Sequence, residues 1–246
     1  MSWAYQLRRR RDATAHFDTA LFADVPAHRP LFGNMPAFGL RQERSMSFNL
    51  AVILRESSNA HPHKPLCHLG EQTFSYAQVD ELSGRIATSL RALGVRRGDK
   101  VAVHLPNMPH FLFAYFGILK VGAVLVRLNP LLRAPEILYR LANCGARLLI
   151  TFEASAGEAL RGAAEIDGLP TYVVKAPMNA QLPAGTHHFD ELYFAEDTKE
   201  IEPTDADDTA VIEYTSGGTG KPNGAELTHF QLYSSCTSAD EPVWFP

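Results

Sequence analysis

Residues 101–128 read VAVHLPNMPHFLFAYFGILKVGAVLVRL, with two short apolar runs on either side of a longer one. The short runs, Val101–Leu105 and Ala123–Leu128, have the length and apolar character of buried strands. The longer run, Phe111–Val121, is apolar on nearly every side, which is typical of a helix in a protein core. The stretch therefore predicts a βαβ unit with two parallel strands and a right-handed crossover.

The same alternation continues on both sides of this unit. Upstream, Ser75 and Gln78 have the spacing of a helix capping box, and apolar side chains then recur at helical spacing until Gly94. Downstream, the pattern predicts a helix from Pro135 to Gly145, a strand at Arg147–Thr151, a helix at Ser155–Ile166 and a strand at Thr171–Val174. We therefore predict an α/β fold with a mostly parallel sheet flanked by helices.

Two short elements are predicted before the capping box. Ser47 is a candidate N-cap for a helix that Pro62 ends. Leu66–Leu69 and Thr73-Phe74 then have the pattern of a hairpin.

In three segments, apolar residues do not recur at the spacing of a helix or a strand. Residues 1–45 hold a run of arginines and several prolines, and we predict a poorly patterned N-terminal extension. His187-His188 is interpreted as a solvent-exposed pair rather than a metal site, because neighbours in a strand face opposite sides. The acidic segment Glu196–Asp208 is interpreted as a linker.

Composition narrows the class of protein. The chain has 246 residues, 46% of them hydrophobic and 20% charged, as in an ordinary globular protein. A net charge of −4 gives no reason to expect a nucleic-acid partner. Cys67, Cys144 and Cys236 are scattered without metal-ligand spacing, which predicts free thiols in a reducing compartment. No apolar stretch is long enough to cross a bilayer and no secretory signal is visible, so we expect a cytoplasmic protein.

A second stretch indicates chemistry. Residues 215–224 read TSGGTGKPNG and hold four glycines, three hydroxyl side chains and one lysine. Glycines let successive backbone N–H groups surround an anion, while hydroxyls and a lysine add donors and charge. Pro222 after Lys221 excludes a Walker A motif, and the glycine spacing excludes a dinucleotide fingerprint. Two interpretations remain, a phosphate-binding loop or a Gly-rich hairpin turned by Asn223-Gly224.

Strand patterns flank this loop. Thr209–Tyr214 precedes it, Ala225–Leu227 follows it, and Thr228 is placed to cap a helix over His229–Ser235. We therefore predict that the loop joins two antiparallel strands.

Several motifs, in a fixed order, resemble the adenylate-forming (AMP-binding) enzymes, which include acyl-CoA synthetases, luciferases and nonribosomal-peptide adenylation domains. The residues that carry the resemblance are the signature Tyr214–His229 and, upstream, Gly98-Asp99-Lys100-Val101, Leu105-Pro106-Asn107, Gly117–Ala123 and Leu128-Asn129-Pro130. The resemblance covers Met46 to about His229 and points to the acyl-CoA synthetase, or fatty-acid–CoA ligase, branch.

This resemblance implies a reaction and a site. The expected protein is an AMP-forming ligase that uses ATP, Mg²⁺ and CoA to convert a carboxylic acid, expected to be a fatty acid of lipid metabolism, into an acyl-adenylate and then an acyl-CoA thioester. By the same resemblance, the donors to the β- and γ-phosphates are Thr215, Ser216, Gly217, Gly218, Thr219, Gly220 and Lys221. The family's catalytic lysine and magnesium-binding acid lie in later segments, so we assign no catalytic residue and no metal ligand in this chain.

The resemblance also implies a domain organisation. Residues 46–246 correspond to a partial AMP-binding (adenylation) domain, truncated before the family's C-terminal domain. Because adenylation relies on domain closure, we expect the chain alone to be inactive and to associate with a missing C-terminal portion. The alternative is a catalytically inactive homologue that acts at most as a weak nucleotide-binding or interaction module. An unrelated α/β protein with a purely structural hairpin fits the ordered motifs less well.

Four positions depart from the family pattern. Gly218 stands where the family usually has Ser or Thr, and Asn223 where it usually has Lys. Glu213 replaces an apolar residue, and with a strand period of two it shares a face with Thr215, where its charge would repel phosphate. Arg127 stands where the family often has Pro, and we interpret it as structural.

Overall fold

The centre of the fold is the βαβ unit that residues 101–128 predict. A computed structural model describes residues 47–175, 181–215 and 222–238. In chain order, its elements are α1 (Val52–Ala60), β1 (Pro65–Leu69), β2 (Gln72–Ser75), α2 (Tyr76–Ala92), β3 (Lys100–His104), α3 (Pro109–Lys120), β4 (Val124–Arg127), α4 (Ala134–Cys144), β5 (Ala146–Phe152), α5 (Ala156–Ala163), β6 (Thr171–Val174), β7 (His187–His188), a 3₁₀ helix (Phe189–Tyr193), β8 (Thr209–Thr215), β9 (Asn223–Thr228) and α6 (His229–Ser238).

The described strands form a main sheet and a separate hairpin. The main sheet has seven strands in the order β7-β6-β5-β3-β4-β8-β9, and β1 pairs with β2 apart from it. Neighbouring strands of the main sheet run parallel, except that β9 is antiparallel to β8. The predicted α/β class, with its mostly parallel sheet, is confirmed.

The two faces of the sheet form two cores. Val101 and Val103 point to the face covered by α1, α2 and α3, whereas Ala102 between them points to the face covered by α4 and α5. Strands covered on both sides favour apolar residues at successive positions, which is why residues 101–103 do not alternate with polar ones. The buried polar residue of β3, His104, has its Nδ1 3.1 Å from the hydroxyl oxygen of Thr151 on β5.

Helices α2 and α3 approach each other closely at a glycine. A Cβ at Gly117 would lie 2.6 Å from Cγ2 of Ile86, so any larger residue would force the helices apart. Beside this contact, Lys120 is fully buried, and its Nζ donates to the backbone oxygen and to Oδ1 of Asp80, both at 2.6 Å. Arg55 donates from Nε to the other carboxylate oxygen of Asp80 at 2.8 Å, so the three side chains form one ion network.

Two predictions for the less regular segments are wrong. Residues 196–208 do not form a free linker: the N–H of Glu202 donates to the carbonyl of Lys120, Thr204 is 1% exposed, and Arg97 pairs with Asp205 and Asp208. Two of the acidic side chains thus pair with a cation, and a backbone N–H of the segment donates to the carbonyl at the end of α3.

The histidine pair is also not exposed as a pair. His187 is exposed, but His188 is 4% exposed, and its Nδ1 accepts from the N–H of Asp190 at the start of the 3₁₀ helix. The alternation of strand β7 explains the difference, because one of two neighbours must face the core.

Smaller differences concern helix ends. Ser47 does not cap α1; it bridges to Asp205, and the side chain of Asn49 accepts from the N–H of Ala51 instead. Helix α5 ends at Ala163, before the predicted Ile166. The capping box of Ser75 and Gln78 is confirmed. None of the helices within the described ranges has the length and apolar character to span a membrane.

Candidate functional site

Strand β8, which leads into the candidate loop, ends at the carboxyl edge of the main sheet. From β3 the chain steps to β4 on one side and then returns to β5 on the other, so the strand order reverses at β3. In α/β sheets, ligands bind outside the carboxyl ends of the strands at such a reversal. Strand β8 lies next to β4 and ends at Thr215, where the loop begins.

The structure fixes both ends of the loop. Thr215 is exposed and lies opposite Asn223 in the β8–β9 register, which confirms the predicted antiparallel strands. The other predicted phosphate-binding residues lie outside the described part of the chain: Ser216, Gly217, Gly218, Thr219, Gly220 and Lys221. Their assignment stays a prediction.

Helix α4 holds both strands of this hairpin. The hydroxyl of Tyr139 donates to the carbonyl of Pro222 at 3.2 Å, just before β9. The hydroxyl of Tyr214 donates to Oδ1 of Asn143 at 2.7 Å, and the guanidinium of Arg140 lies 5.6 Å from the centre of the Tyr214 ring. Burial raises the pKa of Tyr214 to about 12, so its hydroxyl stays a donor at neutral pH. Both ends of the loop are therefore anchored to one rigid helix.

These anchors were missed in the sequence. Tyr139 and Asn143 are four residues apart on α4 and so share one helix face, which was the available signal. Nothing local connects that face to a strand more than seventy positions later in the chain.

Gly224 of the loop's second strand has little room beside it. A Cβ there would lie 3.0 Å from Cγ2 of Ile212 and 3.4 Å from the ring of Tyr214. The glycine thus lets β9 lie close to β8 as well as suiting the turn.

A charge pair lies beside the loop. Arg127, the last residue of β4, is the register partner of Glu213 in β8. Its Nη1 lies 3.3 Å from Oε1 of Glu213, and its guanidinium carbon lies 5.9 Å from the centre of the Phe111 ring. Arg127 therefore has an electrostatic partner, which the structural interpretation from sequence did not foresee.

Helix α6 ties the hairpin to the start of the described chain. Thr228 accepts from the N–H of Gln231 at 3.1 Å, which confirms the predicted cap. His229 is 1% exposed, and its Nδ1 accepts from the backbone N–H of Leu50 at 3.1 Å. Burial lowers the pKa of His229 to about 4, so the ring is neutral at physiological pH. Its role in the signature is thus structural.

Metal ligands, thiols and cavities are the other features of the described residues that bear on chemistry. Across the described ranges, no group of three or more His, Cys, Asp or Glu residues has the arrangement of a metal site. Cys67, Cys144 and Cys236 are free thiols. A cavity of about 390 Å³ lies at the opposite, amino edge of the sheet, and Arg97, Lys100, Asp208 and Glu226 are among the residues that line it. It therefore lies at the other end of β8 from Thr215.

The chain is similar to known proteins over most of its length. The family model described as AMP-binding enzyme matches residues 54–245. Crotonobetaine/carnitine–CoA ligase of Salmonella agona is 37% identical over 163 residues, which are 65% of this chain and 31% of that protein. The corresponding ligase of Citrobacter koseri is 34% identical over 180 residues, 70% of this chain and 35% of that protein.

Two solved structures have the same arrangement of elements. A benzoate CoA ligase from Burkholderia xenovorans superposes with a TM-score of 0.67 at 26% identity, over 76% of this chain and 36% of that one. The anthranilate CoA ligase AuaEII, in complex with anthranoyl-AMP, superposes with a TM-score of 0.70 at 25% identity, over 75% of this chain and 35% of that one. The chain thus spans about a third of the length of these relatives.

Proposed function

The chain belongs to the acyl-CoA ligase branch of the AMP-binding enzymes, and from this premise we propose that it forms the phosphate-binding part of a ligase that activates a carboxylic acid. The whole enzyme would use ATP to form an acyl-adenylate and CoA to form the thioester. The observation that supports this most is the position of Thr215, where the loop begins: it ends β8 at the carboxyl edge of the sheet, two strands from the reversal of strand order at β3.

The proposed chemistry assigns the loop an electrostatic task. When a carboxylate attacks the α-phosphate of ATP, negative charge builds up on the departing pyrophosphate. Donors held in place before the reaction stabilise that charge without reorganising. We assign this role to the hydroxyls of Thr215, Ser216 and Thr219, to the backbone N–H groups of the loop glycines and to the ammonium of Lys221.

The anchors on α4 serve this task. Tyr139 and Asn143 hold residues on either side of the loop, at Pro222 and Tyr214. A phosphate cradle loses catalytic effect when its donors move, so fixed ends favour a preorganised loop.

The Mg²⁺ ligands, the carboxylic acid substrate and the cellular location of the enzyme stay predictions. As the resemblance implies, we assign the Mg²⁺ ligands to the family's later segments. The resemblance favours a fatty acid, whereas the matched ligases of Salmonella and Citrobacter are named for crotonobetaine and carnitine. A substrate panel should therefore contain fatty acids as well as crotonobetaine and carnitine. We also propose that the enzyme works in the cytoplasm.

The reaction is tested by pyrophosphate release. The chain is incubated with MgATP, CoA and a panel that contains fatty acids, crotonobetaine and carnitine. We expect MgATP to bind to the chain alone with little or no turnover, because about two thirds of the relatives' length lies outside the part that this chain spans. Turnover by the chain alone would contradict the expected inactivity, and absence of MgATP binding would contradict the phosphate-binding role.

Two residues favour the alternative, an inactive homologue. The carboxylate of Glu213 lies two residues before the loop, and Asn223 stands where the family's lysine would add a cation. If the chain is part of an active ligase, the adenylate forms despite Glu213 and Asn223. If it is an inactive homologue, the nucleotide binds but no adenylate forms. Pyrophosphate release from the chain joined to a relative's remaining segments distinguishes the two.

Replacing Lys221 with alanine is expected to weaken MgATP binding by about 10- to 100-fold. A hydrogen bond to a charged group contributes about 1.5–3 kcal/mol, which corresponds to that range of affinity. Isothermal titration calorimetry on the full chain measures the change.

The matched control for this substitution is Lys175→Ala. Lys175 follows β6, which lies four strands from β8 in the sheet, and its Nζ donates to the carbonyl of Gln181. This control is expected to bind MgATP like the unmodified chain. If the Lys221 and Lys175 variants bind MgATP with equal affinity, Lys221 does not contribute to the phosphate site.

A further inference from the structure

The inference concerns the ion pair of Arg127 and Glu213 at the carboxyl edge, and it rests on the proposed function. The two residues are register partners on neighbouring parallel strands, with Nη1 and Oε1 3.3 Å apart. Their side chains are 42% and 35% exposed, so water reaches both. The pair therefore lies at the rim of the sheet, not in its core.

Glu213 lies close to the start of the phosphate loop. Successive side chains of a strand alternate, so Glu213 and Thr215 point to the same face and lie about 7 Å apart along β8. This is the face of α3, because Val211 packs in the core that contains Phe113 and Phe116. Burial raises the pKa of Tyr115 on α3, and the charge of Glu213 adds to that effect. The charge of Glu213 thus reaches a buried group on α3.

Arg127 is held at this rim from two sides. Its Nη1 contacts Glu213, and its guanidinium lies over the ring of Phe111 at the start of α3. A cation over an aromatic face gains modest energy and loses freedom of movement. Both contacts favour a position of Arg127 beside Glu213.

We propose that Arg127 is a positioning residue for the nucleotide phosphates, which acts by neutralising Glu213. Thr215, the first of the proposed phosphate donors, lies about 7 Å from Glu213 along β8. A phosphate that Thr215 binds is therefore near enough for its charge and that of the Glu213 carboxylate to repel each other. The guanidinium cancels the charge of Glu213. Glu213 is then tolerated beside a phosphate site only because Arg127 is its neighbour, and the two residues form one unit.

The test is a cycle of three variants of the full chain, with MgATP as the probe. Arg127→Ala exposes the Glu213 carboxylate and is expected to weaken binding about tenfold. Glu213→Ala is expected to bind as tightly as the unmodified chain or more tightly. The double variant is expected to return to within about threefold of the unmodified chain, because the repulsive charge is gone.

Two further measurements separate a charge effect from a packing effect. Arg127→Lys keeps the cation and is expected to retain binding, whereas Arg127→Gln keeps much of the volume and is expected to lose it. The tenfold loss is expected to shrink as ionic strength rises, because salt screens charges that are exposed to water. A merely structural role of Arg127 would show neither pattern.

The matched control is another Arg–Glu pair. Arg85 and Glu81 on α2 lie 2.8 Å apart with side chains 36% and 49% exposed. Arg85→Ala is expected to leave MgATP binding unchanged, which excludes a general effect of removing one surface cation.

The outcomes are distinct. If the unmodified chain binds MgATP and Arg127→Ala binds equally well, the inference fails and the proposed function stands. If the double variant is as weak as Arg127→Ala, Arg127 contacts the nucleotide directly and the neutralising role is wrong. If the unmodified chain does not bind MgATP, the proposed function fails and the inference fails with it.

Discussion

Replacing Asp80 with alanine is expected to lower the free energy of unfolding by about 3–5 kcal/mol, the usual cost of removing one partner from a buried ion pair. Lys120 is fully buried, and the carboxylate and carbonyl of Asp80 accept two hydrogen bonds from its Nζ. Arg55 donates to the same carboxylate. Alanine keeps the carbonyl but leaves a buried ammonium without its counter-charge.

The pKa of Lys120 shows the same balance. Burial lowers it, and the carboxylate of Asp80 raises it again. Without Asp80, burial is opposed less, so the ammonium of Lys120 must be neutralised or hydrated at a cost in stability. Urea denaturation followed by circular dichroism measures that cost on the full chain.

Glu81→Ala is the matched control for Asp80→Ala. Glu81 is the next residue on α2, and its pair with Arg85 is exposed, so its removal is expected to cost less than about 1 kcal/mol. A second variant, Asp80→Ala with Lys120→Met, removes both charges and is expected to recover much of the loss. Similar stability of the Asp80 and Glu81 variants would show that the buried network does not stabilise the fold as described.

Lowering the pH from 7 to 4 is expected to remove up to roughly 3 kcal/mol of stability through His229. Burial lowers the pKa of His229 to about 4 in the folded chain, against an ordinary value near 6.5. The unfolded chain therefore takes up the proton at a higher pH than the folded chain does. The contribution is complete above about pH 6.5 and is lost progressively as the pH falls towards 4.

Hydrogen bonding explains why the protonated ring is unfavourable. Nδ1 of His229 accepts from the N–H of Leu50, and protonation of that nitrogen would replace an acceptor with a second donor. His110 acts in the same direction, since burial lowers its pKa to about 4 and the nearby His188 adds to the effect. The contact between α6 and the segment before α1 is expected to weaken in acid.

His229→Asn tests the assignment. The amide oxygen of asparagine can replace Nδ1 as the acceptor but does not titrate, so the stability of this variant is expected to change less between pH 7 and 4. His63→Asn, at an exposed position, is the control and is expected to follow the unmodified chain. The measurement is the free energy of unfolding of the two variants and the unmodified chain at a series of pH values. If His229→Asn loses as much stability in acid as the control does, the acid sensitivity does not come from His229.

Elements whose signal is local were predictable from the sequence. The strand–helix–strand unit, the capping box of Ser75 and Gln78 and the antiparallel strands around the loop follow from periodicity, caps and turn residues. Each signal depends on neighbours within a few positions. For this reason, the mostly parallel sheet was predictable from the sequence, whereas the order of its strands was not.

Contacts between distant parts of the chain were not predictable. Residues 196–208 have a linker's composition, yet Arg97 and the carbonyl of Lys120 bind them to the body of the protein. Tyr139 and Asn143 share one face of α4, but no residue near them in the sequence indicates that this face binds the hairpin. Arg127 and Glu213 were each recognised as unusual, but only the register of β4 and β8 shows that they form a pair.

The central claim is that the loop between β8 and β9 binds the phosphates of ATP, and hydrogen–deuterium exchange of the full chain with and without MgATP tests it most directly. Backbone N–H groups that donate to phosphate exchange more slowly. We predict that peptides covering residues 213–226 are the most strongly protected by MgATP and that Lys221→Ala reduces the protection. MgATP binding with unchanged exchange in this segment, and protection elsewhere, would contradict the claim.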